Sequence, residues 1–163
     1  MTISLKHMGR RTGAVLVSLL LLLMLAVSAS AAAVKMTVGV RFWRESGDKE
    51  SMADSAVDTT REATLTRQPN GTFTLELPVK QLSSMNMTGR LTGIAIGEVN
   101  YDGTLSGDLS DGTAVLTLKN LPASVLTGSD SSKALAVTCS IKMDTILLGD
   151  IATSAKMSIW VER

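Results

Sequence analysis

The sequence predicts an all-β domain, a sandwich or a barrel of about eight strands. Apolar residues recur at every second position in several segments, which is the spacing of half-buried strands. Short clusters of Gly, Asn, Asp and Ser separate these segments, as turns do. Beyond the first 31 residues, no segment keeps a helical period over three turns. Regular strand and turn signals without long helices are typical of sandwiches and barrels.

The expected strands are the segments in which apolar and polar residues alternate, and these are 38–43, 63–66, 72–79, 113–118, 135–143 and 157–161. Turns are expected where Gly, Asn and Asp cluster, at 69–71, 101–103, 110–112 and 128–130. Asn70-Gly71 lies between two alternating runs and therefore predicts a β-hairpin. Short helical turns are expected at 51–56 and at 121–126.

Residues 1–31 have the pattern of a secretory signal peptide, expected to be helical. Lys6, Arg10 and Arg11 precede an apolar run from 13 to 27, and Ala29-Ser30-Ala31 offers a cleavage site. A membrane anchor is the alternative, but the run has about 15 residues and a span needs about 20. The paired arginines leave the twin-arginine export route open. We therefore expect a secreted, extracellular protein with no membrane span after cleavage.

The remaining chain is expected to form one domain over residues 34–163. The leader holds three of the 16 basic residues and none of the 15 acidic ones, which leaves 13 against 15 and a net charge of −2. No run of arginine or lysine is present, so the sequence argues against nucleic-acid binding. No second hydrophobic segment or sorting signal is visible, so nothing shows how the domain stays at a cell surface.

The residue types that carry most enzyme chemistry are scarce. The single histidine, His7, falls within the leader, which removes the commonest general base and metal ligand from the domain. Cys139, the single cysteine, lies in an apolar alternation and is expected to be a buried, unreactive thiol. The carboxylates at 100–103 and 107–112 match no calcium loop and suit hairpin turns. The sequence therefore predicts a binding module and not an enzyme.

Five segments in a fixed order resemble the NEAT (near iron transporter) domain, in the versions carried by clostridial surface proteins. They are 36–43, a strand ending in an aromatic residue, then 51–56, 63–66, 70–77 and 85–91. The resemblance is close over residues 36–96 and weaker afterwards. It implies an immunoglobulin-like antiparallel β-sandwich that binds haem on Gram-positive cell surfaces.

The resemblance further implies that haem lies in an apolar cleft between a short 3₁₀ turn and the last β-hairpin. In many family members a Tyr-x-x-x-Tyr motif on that hairpin ligates the iron. The matching region here, residues 148–161, has no tyrosine, and Tyr101 lies much earlier in the chain. The fold assignment is unaffected by this departure, but the usual haem ligation does not carry over.

The candidate ligand contacts are Ser51, for a propionate, and Met52, for the porphyrin ring or, as an axial ligand, the metal. The structural alternative is that Ser51 caps a helical turn and Met52 plugs the end of the sandwich. A two-methionine arrangement would pair Met52 with Met143 or Met157, although both lie on alternating apolar faces typical of a core. The Met85-Asn86-Met87 segment is either an adaptable contact surface or core filling.

Two functions therefore remain open. The first is an exported haem- or porphyrin-binding module, or a haem relay, in which the charged residues 41–50 form a rim for propionates. Without a tyrosinate, such a site should favour ferrous haem or metal-free porphyrin. The second is an adhesion or assembly module that has lost haem and recognises another surface protein or a cell-wall polymer. In that case residues 41–50 are a solvated loop or a protein contact.

Overall fold

The computed structural model describes residues 33–84, 87–144 and 149–162, and within them ten strands and three 3₁₀ turns. The strands are β1 (Val34–Trp43), β2 (Ala63–Arg67), β3 (Phe73–Pro78), β4 (Leu82–Ser84), β5 (Met87–Ile96), β6 (Val99–Asp102), β7 (Thr104–Ser106), β8 (Val115–Leu121), β9 (Leu135–Met143) and β10 (Asp150–Val161). The 3₁₀ turns are Met52–Ala56, hereafter the lip turn, Ala123–Val125 and Ser131–Lys133. No helix in these ranges is long and apolar enough to cross a membrane.

All strand pairs are antiparallel, in the order β4-β5-β9-β10-β1-β2-β3-β8-β7, with β6 also on β5. Strand β1 belongs to both halves of the sandwich. Its first half pairs with β2 and its second half with β10, and Val38 faces both Ala63 and Val161. A strand that changes partners in this way turns the corner between two packed sheets.

Gly103 forms the opposite corner, between β6 on one sheet and β7 on the other. Its N–H donates to the carbonyl oxygen of Thr92 at 2.8 Å. A Cβ at this position would collide with the Leu116 side chain and lie 2.8 Å from that same carbonyl oxygen. Only glycine lets the chain cross this closely over the sandwich.

The core lies between the two sheets and is built from the inward positions of the alternating segments. Its largest fully buried side chains are Phe42, Leu65, Leu75, Leu77, Leu82, Leu91, Ile94, Leu116, Leu118, Leu121, Ile141 and Met157. The all-β sandwich prediction is thus confirmed, together with each of the six alternating strands and both helical turns predicted from sequence. The Asn70-Gly71 hairpin is confirmed as well, since it joins β2 to β3.

One predicted turn is wrong. Tyr101 and Asp102 belong to β6 and pair with Ile94 and Gly93, and only Gly103 breaks the strand. Alternation of apolar and polar residues does not predict strands β4 to β7. Two glycines interrupt the pattern in β5, and the other three strands are only three or four residues long. The predicted signal peptide (1–31), Met85 and Asn86 lie outside the described residues.

Cys139 is a fully buried residue of β9, opposite Thr153 and Ile94. Burial raises the pKa of its thiol to about 12. The thiolate is the nucleophilic form of cysteine, so the native protein holds almost none of it near neutral pH.

We therefore expect Cys139 to resist a thiol reagent such as 5,5′-dithiobis(2-nitrobenzoate) at pH 8 in native buffer. Full labelling should follow in denaturing urea, because unfolding removes the desolvation that raises the pKa. Absorbance of the released thiolate measures both states. Rapid labelling of the native protein would show that β9 is more open than the structure indicates.

Candidate functional site

The lip turn lies at one end of the sandwich, directly after the outer end of β1. Ser51 precedes it as the N-cap, and its Oγ accepts from the N–H of Ala53 at 3.4 Å. The Ser51 N–H donates to the carbonyl oxygen of Phe42 at 2.8 Å, which joins the turn to β1. Ser51 thus has the capping role that the structural alternative assigned to it. Its hydroxyl proton is free to serve a further acceptor.

Asp54 is the second anchor of the lip turn, and sequence reasoning did not single it out. Its Oδ1 accepts from the N–H of Phe42 at 2.7 Å, and the residue is buried. Burial raises the pKa of Asp54 above its ordinary value, and nearby Glu50 adds to the rise. The bond from Phe42 and the charges of Arg41 and Lys80 act the other way. The Ser-x-x-Asp spacing of 51–54 was the available signal.

A groove of about 630 Å³ opens beside the lip turn. Its lining residues are Arg41, Arg44, Glu50, Ser51, Met52, Asp54, Ser55, Val57, Thr59 and Lys80. The volume lies within the roughly 300–1,000 Å³ range of sites that hold a small molecule. Three of the lining residues are cations, and only Arg41 among them is in a described ion pair, with Glu50 at 3.0 Å. The groove also holds two carboxylates, Glu50, which pairs with Arg41, and Asp54, which accepts from the Phe42 N–H. Arg44 and Lys80 therefore remain to bind anionic groups of a ligand.

The Arg41 guanidinium makes both an ion pair and an aromatic contact. It lies 5.6 Å from the centre of the Trp43 ring, and Nη1 binds Glu50. Its Nε is buried and has no hydrogen-bond partner among the described residues. A buried donor without a partner is uncommon in native structures, and this Nε is too enclosed for a groove ligand to contact it.

The three candidate methionines differ in position. Met52 is 40% exposed at the groove, so the prediction that it plugs the end of the sandwich is wrong. Met157 is fully buried on β10 and Met143 is 7% exposed on β9, so both belong to the core. The structure thus brings Ser51 and Met52 to one groove and leaves the other two sulfurs inside the sandwich. Tyr101 does not line the groove either.

The base of the β9–β10 hairpin approaches the same end of the molecule. The N–H of Lys80 donates to the carbonyl oxygen of Ala56 at 2.9 Å, which ties the segment before β4 to the lip turn. The next residue, Gln81, reaches Asp144 beyond β9 through Nε2 at 3.3 Å. Arg90 also pairs with Asp144, at 3.6 Å. Lip turn and hairpin base are therefore linked through residues 80–81.

The described residues contain no group of three or more His, Cys, Asp or Glu side chains placed to hold a metal ion. The groove offers a ligand the Met52 thioether, the hydroxyls of Ser51, Ser55 and Thr59, and the cations and carboxylates already described. These groups recognise anions and flat apolar surfaces better than a free metal ion.

The fold is a NEAT-like, immunoglobulin-like β-sandwich. Two solved structures share it, the NEAT5 domain of IsdX2, a B. anthracis hemophore, in complex with heme, and a point mutant of that domain with heme. Each is 9% identical to this chain, with a TM-score of 0.50, over 80% of this chain and 98% of the other. At this identity the likeness shows the fold alone. No protein-family model and no curated protein matches the sequence.

Replacing Asp54 should separate its role as an acceptor from its charge. Asp54→Ala leaves the Phe42 N–H without a partner, and we expect a loss of about 1–3 kcal/mol in unfolding free energy. Asp54→Asn retains an acceptor oxygen and should lose less than half of that. Urea denaturation measures both variants, with the exposed Asp48→Ala as a control expected to stay within about 0.5 kcal/mol.

The same variants carry a pH signature. Because the folded pKa of Asp54 lies above its ordinary value of 3.8, the folded protein takes up this proton before the unfolded chain does. The wild type should therefore gain stability relative to Asp54→Asn as the pH falls through the folded pKa toward 3.8. A gap between the two that is independent of pH would contradict the buried-carboxylate interpretation.

Proposed function

We propose that this domain binds haem or a related porphyrin in the groove beside the lip turn. The observation that carries the proposal is the exposed thioether of Met52, held at the mouth of the groove by a turn that Ser51 and Asp54 fix to β1. An exposed methionine is a flexible apolar surface that packs well on an aromatic ring. The shared fold with a haem-bound NEAT domain supports the same ligand class.

The charges of the groove fit the carboxylate side of such a ligand. Haem carries two propionates, and Arg44 and Lys80 line the groove without a described ion pair. A propionate oxygen would also accept from the Ser51 hydroxyl, which lines the groove. The porphyrin ring would then lie against Met52 and Val57.

A thioether is the soft, neutral donor that this groove offers to a haem iron, and we assign the axial contact to Met52. A second methionine ligand from Met143 or Met157 requires its sulfur to leave the core. Met52 is therefore the sulfur on which the proposal rests. The bound group would be cargo, held by packing and charge.

We propose that the protein is exported and works outside the cell, as a haem-binding or haem-relay module of a Gram-positive surface. The leader pattern of residues 1–31 supports export. The resemblance to clostridial NEAT domains supports the setting, and the absence of the Tyr-x-x-x-Tyr motif distinguishes this chain from members that use tyrosinate. No catalytic activity is part of the proposal.

The alternative, a module that recognises another surface protein or a cell-wall polymer, has one observation of its own. A second cavity lies beside β1, and its lining includes Val38, Val40 and Trp160. Neither Met52 nor Lys80 lines this second cavity, so a partner bound there would leave the groove beside the lip turn free for haem.

Replacing Met52 tests the proposed groove. We expect Met52→Ala to weaken haemin and protoporphyrin binding about tenfold, because the ring loses its apolar contact. Met52→Leu restores the bulk without the sulfur, so it should rescue protoporphyrin and leave any metal-dependent part unrescued. Absorbance titration in the Soret region measures each case.

Leu105→Ala is the matched control, since Leu105 is 37% exposed on β7 and does not line the groove. It should bind as the wild type does. No Soret change with either haemin or protoporphyrin in the wild-type protein would end the haem proposal and favour the alternative module.

The oxidation state of the iron provides a separate test. The groove offers the metal a neutral sulfur and no phenolate, so ferrous haem or metal-free protoporphyrin should bind more tightly than ferric haem. Titrations with haemin, with dithionite-reduced haem and with protoporphyrin give the order of affinities. Ferric binding as tight as ferrous binding would show that an anionic ligand reaches the iron.

A further inference from the structure

A second cavity, of about 200 Å³, lies between β1 and the segment 57–62. Its walls include Val40, Trp160 and Arg61. This volume is several times the ~30 Å³ share of one water and falls below the roughly 300–1,000 Å³ of sites that enclose a whole ligand. One side chain, or one functional group of a larger molecule, is the size that fits.

The backbone of Val40 provides the polar wall of the cavity. The N–H and C=O groups of alternate residues in a strand point to the same side. On this side Val38 pairs with Ala63, where β2 begins, and Phe42 is bonded to the lip turn. Val40 lies between these two positions, and β2 places no residue opposite it. None of the backbone hydrogen bonds described outside the strands involves Val40 either.

Strand β10 does not use these two groups of Val40. Ile159 lies opposite Val40 in β10, but its N–H donates to Oγ1 of Thr127 at 3.3 Å and its carbonyl oxygen accepts from the Thr127 N–H at 3.1 Å. The N–H and C=O of Val40 therefore face the cavity as an adjacent donor and acceptor. Val40 is only 7% exposed, and buried backbone groups almost always have partners. A group that enters the cavity would be that partner.

The chain itself closes the gap beside Val40 at both ends. Residues 57–62 connect the lip turn to the start of β2, so one continuous segment borders the gap. Arg61 would stand opposite Val40 if β2 began two residues earlier. Its guanidinium instead donates to the carbonyl oxygens of residues 112–114 at 2.7 to 3.3 Å, away from β1. An extended strand therefore has no room to run along β1 here, and a ligand has to enter end-on.

Apolar side chains flank this polar edge on both faces of the sheet. Val57 and Leu77 line the cavity from the core side, where both are almost fully buried. Trp160 lies on the outer face, and its ring occupies the space that a Cβ of Gly39 would fill. A flat polar group lying in the plane of the sheet, with apolar contacts above and below it, suits this arrangement.

The charges of the lining disfavour a carboxylate as the ligand. Arg41 is already in an ion pair, and Arg61 is bonded to residues 112–114 and lies 4.0 Å from Asp58. Glu62 and Glu162 also line the cavity, and neither is in an ion pair among the described residues. The charge left without a partner is therefore negative, so the group that enters should be neutral and carry N–H donors.

We propose that this cavity receives the primary carboxamide of an asparagine or glutamine side chain presented by a protein partner. A primary carboxamide has an N–H on the same side as its C=O, so it can accept from the Val40 N–H and donate to the Val40 C=O at once. A secondary amide is almost always trans, which places its N–H and C=O on opposite sides and prevents this double contact. The second N–H of the carboxamide is left for Glu62 or Glu162 at the rim.

Two isomeric amides test the geometry. Propionamide and N-methylacetamide contain the same atoms, but only propionamide has its N–H and C=O on the same side. In ¹⁵N-labelled protein, propionamide should shift the Val40 amide signal in a saturable manner. N-methylacetamide should bind about tenfold more weakly, because a site built for hydrogen bonds rejects an analogue that cannot make them. No porphyrin is present, so this result and the haem titrations succeed or fail separately.

Blocked tripeptides test the source of the group. Gly-Gln-Gly or Gly-Asn-Gly should shift the Val40 signal at about tenfold lower concentration than Gly-Glu-Gly, whose carboxylate has no donor. Ala63→Val adds two methyl groups to the cavity lining and should weaken propionamide binding about fivefold. Leu105→Ala is the control, since Leu105 does not line the cavity and its loss should leave binding unchanged.

A Val40 signal that stays in place at saturating propionamide, or that responds equally to both isomers, overturns the proposal, and the cavity then holds water. A response to propionamide but to neither carboxamide peptide also overturns it, in favour of a small free amide. The wild-type spectra decide the matter even if Ala63→Val fails to fold.

Discussion

The hydrogen bond from the Phe42 N–H to Asp54 joins the lip turn to β1 and is the interaction on which the groove depends. It closes the edge of β1 where no strand is available and fixes the lip turn in the same contact. The carboxylate has to be buried to do this, and its raised pKa records that cost. Without this bond the lip turn would be joined to β1 through the Ser51 N–H on the Phe42 carbonyl, and to the segment before β4 through the Lys80 N–H on the Ala56 carbonyl.

Three alternate residues on one side of β1 show how the strand organises the end of the molecule. Val38 is paired with β2, Val40 faces a cavity, and Phe42 is capped by the lip turn. The difference arises because β1 leaves one sheet for the other while β2 stops at the corner. A continuous ladder would pair all three positions with a neighbouring strand and leave room for neither cavity nor groove. The sites are therefore consequences of the corner in the sandwich.

Much of this fold could be predicted from the sequence, and less of the site. Alternation locates β1 and β9 because one face of each is buried. It misses β5, where Gly89 and Gly93 interrupt the pattern at places where a Cβ would meet neighbouring backbone within 3 Å. The sequence also predicts a turn at Tyr101, because Gly103, which follows β6, cannot be told apart by sequence from a glycine inside a turn. The sequence does not point to Asp54, because its partner is a backbone N–H that only the tertiary structure brings near.

Met52 and Met157 show why residue type alone could not separate a ligand contact from core filling. Met157 occupies an inward position of a period-two strand, so its burial follows from its neighbours. Met52 begins a 3₁₀ turn, in which side chains three apart share a face. Met52 and Ser55 lie on the exposed face of that turn, whereas Ala53, Asp54 and Ala56 are buried. Because Asp54 must point inward to reach Phe42, the three-residue period forces Met52 outward, and the anchor of the turn thereby determines which methionine a ligand can meet.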